Sequence, residues 1–159
     1  MRQLRSIDDY SIVKNKKVFL RVDFNVPISG GRVTDSTKIE KLLTNINYLL
    51  SNDCKVILAS HLGRPQQNGK ADLSLLPVKQ ITEKIFNQQI SFLKINHTTK
   101  QKIDESKEKL VMLENLRFDP GEETNELEYA KLLSSFADIC VNEAFSCSHR
   151  SHASIESIT

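Results

Sequence analysis

Glycine and proline are scarce in this chain, with five and four positions among 159 residues, and tryptophan is absent. Collagen-like and low-complexity sequences depend on glycine and proline, so both classes are excluded. Aromatic side chains make up 6% and the net charge is only +2. A nucleic-acid-binding face gathers basic charge and interleaves stacking aromatics. Here Lys and Arg are scattered, so no nucleic-acid partner is expected. Even the longest apolar runs are short, such as Val56–Ala59, against the ~20 residues a membrane-spanning helix needs, so no membrane association is expected. Met1 to Tyr10 has no apolar stretch of the secretory kind, which points to a cytoplasmic chain.

Cysteine is rare too. Cys54, Cys140 and Cys147 are odd in number and form no C-x-x-C pair, so they read as reduced, buried thiols. The phosphate-cradling G-x-x-x-x-G-K-[ST] loop, the dinucleotide-binding G-x-G-x-x-G and the hydrolase G-x-S-x-G are all missing. His149 and His152 lie three positions apart, but nearby arginines would compete with a metal ion, so no metal ligation is expected. His97 sits in a polar stretch and reads as solvated.

What remains is an ordinary globular composition, 39% hydrophobic and 26% charged. A chain of this length buries roughly 68–70% of its unfolded surface and forms about one domain. It has no room for a two-substrate enzyme with a separate domain per substrate.

Lys17–Asp23 reads as a strand, and Val26–Thr34 as a small hairpin turning at Gly30-Gly31. Asp35 is placed to cap one helix carrying Ile39, Leu42, Leu43, Ile46, Leu49 and Leu50, ending at Asn52-Asp53. Lys55–Ser60 is a buried strand, followed by a polar loop from His61 to Asp72. Ser74 caps a second helix with Pro77 in its first turn. Ile90–Lys94 is a strand, Thr98–Lys109 a polar helix and Leu110–Leu113 another strand. Thr124 or Asn125 opens a helix with Tyr129, Ala130, Leu133 and Phe136, and Asp138–Asn142 is the last strand. His149 to Thr159 is loop or a short helix. Strands alternating with helices predict a largely parallel sheet in an α/β, Rossmann-like three-layer sandwich.

Parallel strands release their carboxyl ends along one edge, where open α/β sheets bind ligands. The loops leaving that edge carry Asp23 and Asn25, then His61 and Arg64, then Arg117, then His149, Arg150 and His152. Arg64, Arg117 and Arg150 are three of only seven arginines in the chain. A cationic crevice for a small polyanion is expected. Lys38, in the first turn of its helix, opposes the helix macrodipole. It either points to solvent or joins the helix N-terminus as an anion site. Asp23 either caps a turn or accepts a ligand hydroxyl, and Asn25 can donate or accept. The set suits a phosphorylated hydroxy acid.

Four stretches carry a more specific signal: Arg21-Val22-Asp23-Phe24-Asn25-Val26-Pro27, Ser60-His61-Leu62-Gly63-Arg64-Pro65, Leu113-Glu114-Asn115-Leu116-Arg117-Phe118, and Asn142-Glu143-Ala144-Phe145 with His149-Arg150-Ser151-His152-Ala153-Ser154. In this order and spacing they resemble the phosphoglycerate kinase family. The resemblance implies reversible phosphoryl transfer between 1,3-bisphosphoglycerate and ADP, giving 3-phosphoglycerate and ATP, in glycolysis and gluconeogenesis. It implies that Asp23 and Asn25 contact the glycerate, and that His61, Arg64, Arg117 and Arg150 hold the carboxylate and phosphate. Arg21, His149 and His152 complete the basic patch. Residues 1–159 then form an incomplete N-terminal, phosphoglycerate-binding domain, truncated before the hinge. Mg-ATP or Mg-ADP belongs to a C-terminal nucleotide domain that is missing or separate, and no cofactor is expected on this chain. The whole enzyme is implied to be a monomer, and this chain alone to be inactive.

Two positions depart from the family pattern. Lys38 stands where the family has the arginine that steadies the phosphoryl group in flight, and Glu143 where it has aspartate. Lysine keeps the charge but loses the bidentate fork. That departure motivates an alternative, a non-catalytic phospho-acid-binding module. A receiver-like domain would need clustered acids at the strand ends, which here are mostly basic.

Overall fold

The computed structural model describes residues 13–68 and 71–158. Met1 to Tyr10, read above for a leader, lies outside them, as does the side chain of Cys147. Strands β1 (Lys17–Arg21), β4 (Lys55–Ala59), β5 (Ile90–Leu93), β6 (Leu110–Leu113) and β7 (Ile139–Asn142) form one sheet in the order β5-β6-β4-β1-β7. Every pairing in it is parallel. A separate antiparallel hairpin joins β2 (Ile28–Ser29) to β3 (Arg32–Val33). Its turn needs positive φ at both central residues, and Gly30 and Gly31 supply 55° and 72°.

Side chains alternate across the sheet, and helices cover both faces. Val18, Leu20, Val56, Leu58, Leu110 and Met112 pack on one face against Ile39, Ile46, Leu49, Val78 and Phe86. These come from α1 (Thr37–Glu40), α2 (Leu43–Ser51) and α4 (Leu76–Phe86). Phe19, Ile57, Ala59, Val111 and Leu113 pack on the other, against Ile103 of α5 (Thr99–Glu105), Tyr129, Ala130 and Leu133 of α6 (Leu127–Ser134), and Ala153 and Ile158. Burial on both faces is why β4 and β6 read as unbroken apolar runs. The expected three-layer α/β architecture is the one observed. Among the described residues no helix is long and apolar enough to cross a membrane.

Several boundaries differ from expectation. The helix after Asp35 is two helices, because Leu42 N–H closes tightly on Ile39 O and breaks the ladder between α1 and α2. The first strand stops at Arg21, two residues short of Asp23. The helix expected to run to Lys109 ends at Glu105, where Lys55 Nζ donates to the terminal carbonyls of Ile103 and Ser106 (2.8 and 2.7 Å). Neither Thr124 nor Asn125 caps α6. Asn125 adopts a left-handed φ of 55°, bonds Ser157 and Glu156, and leaves Glu126 at the helix start. The polar loop after β4 holds a short α3 (Pro65–Asn68). The last segment contains a π-helical turn, Ala153–Ser157.

Leu58 is fully buried at the centre of the sheet. Leu58→Ala is expected to lower unfolding stability by about 2–5 kcal/mol. Urea denaturation should show a lower midpoint at an unchanged slope.

Candidate phospho-acid site at the carboxyl edge of the sheet

Because all five strands run parallel, the segments after β1, β4, β6 and β7 leave from one edge. After β1 the backbone turns at Asp23, whose Oδ1 accepts from Asn25 N–H at 3.0 Å. Asp23 therefore does cap a turn. Its other oxygen accepts from Lys38 Nζ at 2.9 Å and from Ser146 Oγ at 2.8 Å, joining α1 and the loop after β7 to the β1 loop. Burial pushes the Asp23 carboxyl up, but Lys38, Ser146 and Asn25 N–H outweigh it and hold the group below its ordinary value.

Lys38 does not serve a helix N-terminus. Helix α1 has only four residues, and its first turn is closed by Asp35 Oδ1, which accepts from Thr37 N–H at 2.9 Å. Lys38 instead reaches Asp23 and Asn25 O (3.1 Å), with its side chain 49% exposed. Asn25 Oδ1 accepts from Gly63 N–H at 3.1 Å, which leaves its amide NH₂ as the group free to meet a ligand.

The cations at this edge fall into two rows. Arg21, His61, Arg117 and His152 are all buried, and so are not the open cationic surface expected of them. Arg21 crosses under the edge and donates from Nε to Ser154 Oγ (2.9 Å), from Nη1 to Val22 O (2.6 Å) and from Nη2 to His61 Nδ1 (3.0 Å). Glu122, fully buried, lies 4.0 Å from Arg21 and accepts from Ser154 Oγ at 2.6 Å and Ser154 N–H at 3.0 Å. Burial raises the Glu122 carboxyl despite those donors and Arg21. Arg117 donates from Nη1 to Gly63 O (2.7 Å) and pairs with Glu123 (3.3 Å). Burial, then Arg21 and Arg117, push the His61 imidazole down to about 3. Burial, Arg117 and Arg150 push His152 down as well. Arg64 and His149 are exposed and Arg150 half-buried, so these three form the accessible row.

Gly63 ties the loops together through both its N–H and its carbonyl. Its φ is 59°, where glycine sits without strain, and a Cβ there would press on Leu73 Cδ2 at 2.7 Å, so glycine is favoured.

Residues quoted above only as parts of the motif, with no role of their own, hold these loops in place. Asn115 accepts from the N–H groups of Leu62 and Arg117 and donates to Leu62 O and Leu73 O. Glu114 accepts from Leu75 N–H and Ser74 Oγ at the start of α4 (2.8 Å each). Ser60 Oγ accepts from Phe24 N–H. The available signal was the Glu114-Asn115 pair directly after an apolar strand, since polar groups placed there must find buried partners. A cavity of about 360 Å³ opens beside Lys94, Glu114, Asn115, Phe118 and Tyr129.

Among the described residues no three His, Cys, Asp or Glu side chains gather as a metal site. What the edge offers is a carboxylate and an amide beside a lysine, backed by arginines and imidazoles. That set can accept a hydroxyl and bind phosphate and carboxylate together.

A phosphoglycerate kinase family model matches residues 7–159. Phosphoglycerate kinase from Geotalea uraniireducens is 43% identical over 160 residues, covering 98% of this chain and 40% of that protein. The protein of the same name from Orientia tsutsugamushi is 45% identical over 158 residues, covering 98% of this chain and 39% of its own length. Solved phosphoglycerate kinases from Coxiella burnetii and Pyrococcus horikoshii superpose with TM-scores of 0.83 and 0.84 at 29% and 28% identity. Each superposition covers 98% of this chain and 39% or 40% of the solved one. The chain thus spans about 40% of the length of the relatives it matches.

The buried imidazoles have a consequence for stability. The unfolded chain takes up histidine protons near pH 6.5, whereas folded His61 resists until about 3. Acidification through that window therefore favours unfolding. Asp23, held low, adds loss of the same sign at the acid end. Glu122, held high, works in the opposite sense, so the His61 part is read by difference: His61→Gln, which keeps an acceptor for Arg21, should lose less stability than the wild type between pH 6.5 and 4. Urea titrations at several pH values measure this, and an unchanged slope counts against it.

Proposed function

The chain belongs to the phosphoglycerate kinase family, and on that footing we propose that residues 1–159 form the part of such an enzyme that binds 3-phosphoglycerate and 1,3-bisphosphoglycerate. The observation that carries this reading is the meeting of Asp23, Asn25 and Lys38 with the loops bearing His61, Arg64, Arg117 and Arg150 at one sheet edge. Asp23 Oδ1 has a lone pair left for the substrate hydroxyl, and the Asn25 amide donates to the glycerate. Arg64 and Arg150, with His149, receive the phosphate and carboxylate. Arg117 holds Gly63 and adds charge from behind.

In the forward direction a phosphoryl group leaves the acyl phosphate of 1,3-bisphosphoglycerate. The P–O bond breaks, the carboxylate of 3-phosphoglycerate keeps the electron pair, and an oxygen of the ADP β-phosphate forms the new bond. Lys38 stands where charge on the moving group would be met, as phosphoryl transfer relies on positioning and electrostatics. Mg-ATP and Mg-ADP, and the nucleotide domain that holds them, are assigned to the length of the relatives that this chain does not span. The free thiols of Cys54 and Cys140 suit the reducing cytoplasm.

A second reading, a phospho-acid binder without turnover, is favoured by one observation. Lys38 is already engaged by Asp23 and Asn25 O, and it lacks the fork of an arginine.

Calorimetry with 3-phosphoglycerate tests the site. Arg64→Ala is expected to weaken binding by about 1.5–3 kcal/mol, roughly 10–150-fold. No heat from a folded wild-type chain overturns the site assignment. The chain alone is expected to show no ATP-dependent phosphorylation of 3-phosphoglycerate, and turnover by it would refute the division of labour. With a nucleotide domain supplied, Lys38→Arg should raise kcat more than it changes affinity. An unchanged or lower rate removes Lys38 from the transfer step and favours the binder.

A further inference from the structure

Arg21 bears on the chemistry of His61 without reaching solvent itself, being 1% exposed. A guanidinium has only donors. Its Nη2 lies 3.0 Å from His61 Nδ1, so that nitrogen must offer a lone pair and the ring proton must sit on Nε2. The guanidinium has little freedom to do otherwise. Nε is taken by Ser154 Oγ and Nη1 by Val22 O. Ser154 in turn donates to buried Glu122, which lies 4.0 Å from Arg21 Nη2.

We propose that Arg21 is a positioning residue that fixes His61 as the neutral tautomer protonated on Nε2, so that His61 meets the phospho-acid as a hydrogen-bond donor and not as a cation. This rests on the phospho-acid reading of the site. The charged groups facing His61 come from three directions: Arg21 and Asp23 from β1 and its loop, Arg117 from the segment after β6, and Arg150 from the loop after β7. Three cations oppose one carboxylate, and burial adds to them, so a fourth positive charge on the ring is disfavoured. His61 Nε2 makes no hydrogen bond among the described residues, which leaves its N–H for a ligand oxygen. The division is chemically useful. Arginines supply charge, while the imidazole supplies direction without adding to their mutual repulsion or to the pH dependence of binding.

Long-range ¹H–¹⁵N NMR of the labelled chain reads the tautomer directly, with His61→Gln identifying the signals. From pH 8 to 5, His61 is expected to show a bare Nδ1 and a protonated Nε2. Added 3-phosphoglycerate should move the Nε2 signal and leave Nδ1 in place. Arg21→Lys, which retains a donating cation, should preserve the pattern. Arg21→Met should release it into mixed tautomers, with a protonation midpoint rising toward about 6.5. Should Arg21→Met fail to fold, the wild-type and Arg21→Lys spectra decide. A wild-type ring protonated on Nδ1, or titrating near 6.5, in a chain that still binds 3-phosphoglycerate overturns this proposal alone. A locked tautomer whose Nε2 ignores 3-phosphoglycerate overturns its donor role together with the phospho-acid reading. A folded Arg21→Met chain with His61 unchanged removes Arg21 as the positioning group.

Discussion

Parallel strand pairing is the constraint on which the molecule rests. Five strands lying side by side in one direction cannot be joined by tight hairpins, so each connection must cross a face of the sheet. Those crossings build the two outer layers and force the interiors of β1, β4 and β6 to be apolar. Polar chemistry is thereby pushed to the carboxyl ends. Asp23, His61, Arg117 and Arg150 are far apart in the chain and share a site only because the strands before them share a direction.

At that edge, fixed and free charge are kept apart. The inner cations are anchored on acceptors the fold supplies, Arg21 on Ser154 and Val22, and Arg117 on Gly63 and Glu123. Such charge is expensive to bury, and these hydrogen bonds and ion pairs offset part of that cost. The outer groups, Arg64 and His149, face solvent. On the proposed function, an anion arriving from water would meet the exposed cations first and the anchored ones behind them, an arrangement that leaves little reorganisation for the moment of binding.

Most of this was legible in the sequence where local chemistry and the global fold agree. The apolar runs Val56–Ala59 and Leu110–Leu113, the Gly30-Gly31 hairpin and the loops bearing the cations all fell where expected. Failures came where long-range partners override local signals. Asn125 looks like a helix cap, but Ser157 and Glu156 draw it away. Lys55 opens the strand Lys55–Ser60, yet its ammonium binds the carbonyls of Ile103 and Ser106 where α5 ends. Lys38 looked like a cation at a helix start, and the carboxylate that claims it lies fifteen residues earlier. Burial of Arg21 and Arg117 was invisible because arginine is normally a surface residue, and only the acceptors at Ser154 and Gly63 make its burial tolerable. Glu114 and Asn115 were read as part of a motif, whereas their work is to pin two loops and a helix start.

Arg21 finds its partner Ser154 across 133 positions, and β1 gains β7 only when residues near 139 arrive. At about 5–20 residues per second on the ribosome, that separation corresponds to roughly 7–27 s of synthesis. Over that interval the guanidinium lacks Ser154, and for most of it β1 lacks β7. The carboxyl edge of the sheet is therefore completed late in the synthesis of the described residues. Quality control that senses an unfinished molecule would meet it first at that edge.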